Sequence, residues 1–144
     1  MKTIWIINGP NLNMLGIREK EIYGRKSLKD LEKQLLKDNP KVQLEFFQSN
    51  HEGQIIDWLQ EAYFKKVDGI VINPAGYTHS SIALADAIKA ISPLPVIEVH
   101  LSKVDEREEF RKISYIKPYC LKQIQGEGFQ SYQLAIDDLL KYIE

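Results

Sequence analysis

The sequence predicts an α/β fold, a five-stranded parallel sheet lying between two layers of helices. Three observations point there. Short β-branched runs alternate with stretches of helical periodicity along the chain. Runs such as Gly69-Ile70-Val71-Ile72 are apolar at nearly every position, as expected of strands covered on both faces. Three of the runs pass directly into polar loops, and in such sheets ligands bind at the C-terminal ends of the strands.

The elements follow in order. Residues 3–8 form a short buried strand ended by Gly9-Pro10. Ser27-Leu28-Lys29-Asp30 reads as a capping box with Asp in place of Glu. It opens a helix with Leu28, Leu31, Leu35 and Leu36 on one face, stopping before Asn39-Pro40. Residues 42–48 are the second strand. Gly53 precedes a second helix carrying Ile55, Ile56, Leu59, Ala62 and Tyr63 at helical spacing. Residues 69–73 are the third strand. Ser80 or Ser81 caps a third helix with Ile82, Ala85, Ile88 and Ile91 inward. Residues 95–99 and 119–124 are the fourth and fifth strands. Residues 131–143 form a closing helix with Ile136, Leu139, Leu140 and Ile143 inward.

Right-handed crossovers turn this alternation into a flavodoxin-like three-layer sandwich with strand order 2-1-3-4-5. Its switch point falls between the first and third strands, so the loops at Asn11 and Asn73 flank the crevice.

At 144 residues the chain fits a single domain, 1–144, with an ordinary globular composition of 44% hydrophobic and 27% charged residues. A net charge of −1 supplies no field for nucleic acid or an anionic membrane. The lone Cys120 excludes an intrachain disulfide and fits a reducing, cytoplasmic setting. Lys2 is not followed by a signal-like apolar segment, because the run breaks at Asn8, and no stretch approaches the roughly 20 apolar residues of a membrane helix. No repeat, linker or low-complexity segment stands out.

Several residues could carry chemistry. His100 ends a strand with Glu98 two residues back, and period two points both side chains to one face. A carboxylate beside an imidazole can orient it and make it an acid near neutral pH. On this pattern alone, a strand-end histidine bonded to nearby backbone is an equal reading. Tyr23 lies in the charged, glycine-bounded segment 17–24, and a guanidinium stabilises tyrosinate: Arg18 and Arg25 are both close in sequence, and Arg111 could arrive from elsewhere. The segment reads as a lid loop at about 17–25. In isolation, a solvated loop tyrosine is the plainer reading. Asn73 ends a strand, and His79 stands before a helix whose first N–H groups can hold an anion. Ser80, His79 and Asp86 do not make a hydrolase triad, since no Gly-x-Ser-x-Gly elbow is present and Asp86 falls on the helix body. His51, His79 and His100 match no usual metal-ligand spacing. Backbone N–H groups and the Ser102 hydroxyl after His100-Leu101 can bind a carboxylate, although a simple loop serine is the plainer reading. Arg111 sits in a charge run of the kind that usually forms a solvated face. Neither a Walker loop nor Gly-x-Gly-x-x-Gly is present, so no nucleotide cofactor is supported.

Taken together, six segments resemble the type II 3-dehydroquinate dehydratases. They are Asn8-Gly9-Pro10-Asn11-Leu12, Ile22-Tyr23-Gly24, Gln48-Ser49-Asn50-His51-Glu52-Gly53, the run from Asn73 to Ser81, Glu98-Val99-His100-Leu101-Ser102, and Arg107-Glu108-Glu109-Phe110-Arg111. Each is weak alone, but together, in the family's order and spacing, they are highly specific. The resemblance implies dehydration of 3-dehydroquinate to 3-dehydroshikimate through an enolate, in the shikimate pathway or in quinate breakdown. It implies Tyr23 as the tyrosinate base, Arg18 as its electrostatic partner and Asn11, through a water, as enolate stabiliser. It further implies His100 as the acid with Glu98 orienting it, and Asn73, His79, Leu101, Ser102 and Arg111 as substrate-binding. Asp86 matches a position that reaches a neighbouring subunit's site, in a family typically assembled as a dodecamer of trimers. No metal, cofactor or Schiff-base lysine is implied. Two features depart from the family pattern: Ser131 stands where Gly usually precedes Tyr132, and residues 117–125 are more polar and bulkier than usual. His51 and Glu52 match the motif but read as a structural turn.

Two other classes compete. A flavin carrier would need a Ser/Thr/Gly-rich phosphate loop where residues 9–16 offer Pro and Asn, and a phosphoryl receiver would need clustered carboxylates there. A non-catalytic binding protein would not need Arg18, Tyr23 and His100 together.

Overall fold

The computed structural model describes residues 1–17 and 25–144. Among them, strands β1 (Lys2–Asn8), β2 (Val42–Gln48), β3 (Gly69–Asn73), β4 (Val96–His100) and β5 (Lys122–Gln125) form one parallel sheet in the order β2-β1-β3-β4-β5. Helices α1 (Leu28–Asp38), α2 (Glu52–Phe64), α3 (Ile82–Ala90) and α4 (Gln130–Ile143) cover it.

Period two divides the sheet's side chains between two cores. Ile4 and Ile6 of β1 join Val71, Ile97 and Val99 against α1 and α4, packing on Leu31, Leu35, Ala135, Ile136 and Leu139. Trp5 and Ile7 face the other way and join Ile70, Ile72 and Val96 against Ile55 and Leu59 of α2 and Leu84 and Ile88 of α3. Strands buried on both faces explain why their sequences show no polar alternation.

The capping box is complete: the Ser27 hydroxyl accepts the Asp30 N–H at 3.1 Å, and the Asp30 carboxylate accepts the Ser27 N–H at 2.9 Å. Ser81, not Ser80, caps α3, its hydroxyl accepting the Leu84 N–H at 2.9 Å. That hydroxyl in turn donates to the Glu52 carboxylate, which gives Glu52 a structural task tying α2 to α3.

Several expectations are corrected. Leu36 is 52% exposed, because it lies about 100° around α1 from the buried Leu35. Ile82 is 62% exposed, because Leu84, which is buried, lies about 200° further round the helix. Tyr63 is 44% exposed at the end of α2. Helix α2 starts at Glu52, so Gly53 falls within its first turn rather than before it. β4 begins one residue late and runs on through His100, since the Pro95 nitrogen cannot donate to the ladder. β5 starts only at Lys122, because residues 117–119 coil into a single 3₁₀ turn around Pro118.

Candidate active site

The strand ends meet at one level. Asn8 and Asn73 are register partners at the tips of β1 and β3, and His100 ends β4 beside them. The loops after these strands touch closely: Gly9 donates its N–H to the Asn73 carbonyl at 2.8 Å, and a Cβ at Gly9 would lie 2.6 Å from the Pro74 carbonyl oxygen. Only glycine permits that approach. Asn11 follows in a left-handed conformation (φ 70°), held by its N–H donating to the Asn50 side-chain oxygen at 3.0 Å.

Between these loops opens a cleft of roughly 120 Å³, walled by Asn11, Asn73, His79, His100, Ser102 and Arg111, with Leu101 and Arg107 alongside. A wider trough between α1 and α4, past Lys33, Lys37 and Gln133, lies away from the strand ends and gathers none of the candidate residues. The cleft thus unites seven sequence-predicted residues from four separate stretches of chain. Asp86 does not line it; its side chain is exposed on α3. Tyr23 and Arg18 lie outside the described residues, as does most of the lid loop expected at 17–25.

Glu98 and His100 form a buried pair. The His100 Nε2 lies 2.5 Å from Glu98 Oε2, with side chains 5% and 0% exposed respectively. This leaves Nδ1 as the ring nitrogen to meet a ligand. Glu98 accepts two further bonds, from the Ser114 hydroxyl at 2.9 Å and the Gln123 amide at 2.9 Å. Burial pushes its carboxyl up, but the bonds from His100, Gln123 and Ser114 outweigh it and hold Glu98 below the usual carboxylate range. Glu98 is therefore a buried anion, paired as such a charge must be.

His79 stacks on His100 with ring centroids 6.5 Å apart. Its Nδ1 lies 2.7 Å from the Ile113 carbonyl, which accepts a proton there and leaves Nε2 for the cleft. Burial, with the nearby His100 and Arg111 adding to it, lowers the His79 pKa, so the ring is neutral at pH 7 and suited to hydrogen bonding. Arg111 is held at 2.5 Å by Glu108 and leans over Phe110, which orients its guanidinium. One of the α3 N–H groups considered for an anion is already bonded by Ser81.

The floor of the cleft rests on α4. The Tyr132 hydroxyl donates to Asn8 Oδ1 at 2.6 Å and accepts from Asn73 Nδ2 at 3.0 Å, while Asn73 Oδ1 accepts the Ala75 N–H at 3.1 Å. Ser131 is fully buried and its hydroxyl donates to the His100 carbonyl at 3.2 Å.

Sequence reasoning missed Tyr132, Ser114, Gln123 and Arg107. Tyr132 precedes the inward Ile136 by four residues, a spacing that marks it as inward too. Arg107 opens the charged segment that ends in Arg111, four residues on, while nothing local marks Ser114 or Gln123. Among the described residues no three His, Cys, Asp or Glu side chains gather as a metal-ligand set. No helix among them is long and apolar enough to cross a membrane.

Comparison with known proteins agrees with this fold. The family model described as dehydroquinase class II matches residues 2–140. A 3-dehydroquinate dehydratase of Caldicellulosiruptor bescii is 52% identical over 146 residues, covering 100% of each chain. One of Fusobacterium nucleatum is 53% identical over 144 residues, covering 96% of this chain and 97% of its own. The crystal structure of the type II dehydroquinase from Butyrivibrio crossotus superposes with a TM-score of 0.95 at 52% identity, covering 96% of this chain and 97% of that one.

Proposed function

Because the chain belongs to the dehydroquinase class II family, we propose that, as a 3-dehydroquinate dehydratase, it forms 3-dehydroshikimate by stepwise elimination through an enolate. The observation that carries the acid half of this reading is the buried Glu98–His100 pair, 2.5 Å apart and opening into the cleft.

In this reading Tyr23, as tyrosinate, removes the proton next to the ketone, and Arg18 stabilises the phenolate charge. The electrons pass to the carbonyl oxygen as an enolate, which Asn11 steadies through a water. The enolate collapses, the carbon–oxygen bond of the β-hydroxyl breaks, and protonated His100 delivers its Nδ1 proton so that water leaves. Glu98 holds the imidazolium in place. Asn73, neutral His79, Arg111, Ser102 and the Leu101-Ser102 backbone offer the hydroxyl partners and anion contacts that a small hydroxy-keto acid needs. The chain acts as one domain, residues 1–144, and Tyr23 and Arg18 act on the substrate held in the cleft.

Asp86, exposed and away from its own cleft, serves a neighbouring subunit within a dodecamer of trimers. The enzyme works in the cytoplasm, in the shikimate pathway of aromatic amino acid biosynthesis or in quinate catabolism. It needs no metal or cofactor, and its partners are substrate and further copies of itself, not nucleic acid or membrane.

The test mixes purified protein with 3-dehydroquinate and follows ultraviolet absorbance of the conjugated enone. A borohydride-treated sample runs in parallel. Turnover that survives borohydride is expected, because no lysine Schiff base is involved. An inactive protein at concentrations that sustain its assembly would overturn the assignment.

A further inference from the structure

The polar stretch at residues 117–125 has a position that the reaction chemistry does not yet use. Strand β5 is short and lies at the sheet edge, and its register sets Glu98 opposite Gln123 and His100 opposite Gln125. Period two puts all four side chains on one face, while Ile124 turns to the opposite core. The glutamines are therefore cross-strand neighbours of the acid pair.

Their amides form a directed chain. Gln125 Nε2 donates to Asp105 Oδ2 at 3.1 Å and to Gln123 Oε1 at 3.2 Å. The Asp105 N–H closes the ring onto Gln125 Oε1 at 3.4 Å. With its oxygen thus engaged, Gln123 has only its NH₂ group to turn toward Glu98, 2.9 Å away. A flipped amide would set an oxygen against the carboxylate and another NH₂ against Gln125. The Ser114 hydroxyl reaches both Glu98 oxygens from the other side, at 3.0 and 2.9 Å, and is itself fixed by the Lys117 N–H at 3.2 Å.

We propose that Gln123 is a positioning residue for the elimination: its amide holds Glu98 as the anion and so keeps His100 Nε2 bonded inward and Nδ1 toward substrate. The inference rests on the reading of His100 as the acid. Without this donor, a fully buried carboxylate loses part of what offsets its desolvation and takes up a proton at higher pH. A neutral Glu98 no longer offers His100 Nε2 a charged acceptor to hold it inward. Among the described residues near the pair, His79 stacks on His100, Arg111 lies beside His79, and burial with the Glu98 charge pushes up the Cys120 thiol. None of these donates a hydrogen bond to Glu98 among the described residues.

The experiment compares kcat–pH profiles of wild type, Gln123→Leu, Gln123→Glu, Ser114→Ala and His100→Gln at matched assembly. In Gln123→Leu, kcat at neutral pH falls about tenfold, the size of one hydrogen bond to a charged group. KM stays within about twofold and the acid limb moves up by about one pH unit. Ser114→Ala moves the limb in the same direction, and Gln123→Glu, with a second carboxylate in the same shape, moves it further. A Gln123→Leu enzyme with wild-type kcat and limb, or one altered only in stability or KM, overturns the proposal while leaving the acid assignment intact. A fully active His100→Gln variant overturns both.

Discussion

Removing the Tyr132 hydroxyl, by Tyr132→Phe, tests whether the cleft floor depends on α4. The side chain is fully buried, and burial pushes its phenol well above the usual value, so the hydroxyl is a neutral hydrogen-bond bridge. Phe fills the same space and leaves no cavity. What is lost is the 2.6 Å bond to Asn8 and the 3.0 Å bond from Asn73. Asn8 is 1% exposed, and its Nδ2 already lacks a partner among the described residues, so within them the variant strands its whole amide. Among the described residues, the Asn73 side chain keeps only the Ala75 bond. A buried polar group left unpaired costs about 1–3 kcal/mol, so two partially stranded amides place the penalty at about 2–4 kcal/mol. Urea unfolding reads this as a fall in midpoint of about 1–2 M with the slope unchanged. The freed Asn73 amide also raises KM, since that residue faces the cleft. A midpoint within about 0.3 M of wild type, with unchanged KM, would refute the argument that this bridge stabilises the floor.

Other outcomes follow from the same geometry. Tyr23→Phe is expected to abolish nearly all turnover with an unchanged circular dichroism spectrum; normal turnover would remove Tyr23 as the base. Because Glu98 titrates below its ordinary 4.5 in the fold, the unfolded chain binds the extra proton first as pH falls. Its stabilisation is thus present above pH 4.5 and lost as pH drops through the lower folded value, and Glu98→Gln should flatten that part of a stability–pH curve. Gly9→Ala drives a methyl to 2.6 Å from the Pro74 carbonyl, where backbone must shift. Such overpacking costs about 1–3 kcal/mol and should lower activity by displacing Asn11 and Asn73 together. A variant with wild-type melting and kcat/KM would show that these loops yield freely.

How much of this was legible beforehand differs from residue to residue. Ser27 and Asp30 declare their capping box within four residues, and Glu98 and His100 declare a shared face within three, because both follow from backbone period alone. The boundaries near Gly53, Pro95 and Tyr119 differ from those the sequence predicts by a residue or more, since helix entry and ladder pairing depend on neighbours. Leu36 and Ile82 are apolar yet exposed, for what they face is decided by where α1 and α3 lie on the sheet, not by their own hydrophobicity.

The sequence by itself determined the kinds of elements, their parallel order and the polar residues waiting at three strand ends, because these depend on contacts and conformations a few residues long. The tertiary structure alone decided that Tyr132 bridges Asn8 across 124 positions and that Ser114 and Gln123, 16 and 25 positions from Glu98, hold its charge. A buried polar group needs a partner, but which partner it finds is set by strand register and helix docking, which no local pattern encodes.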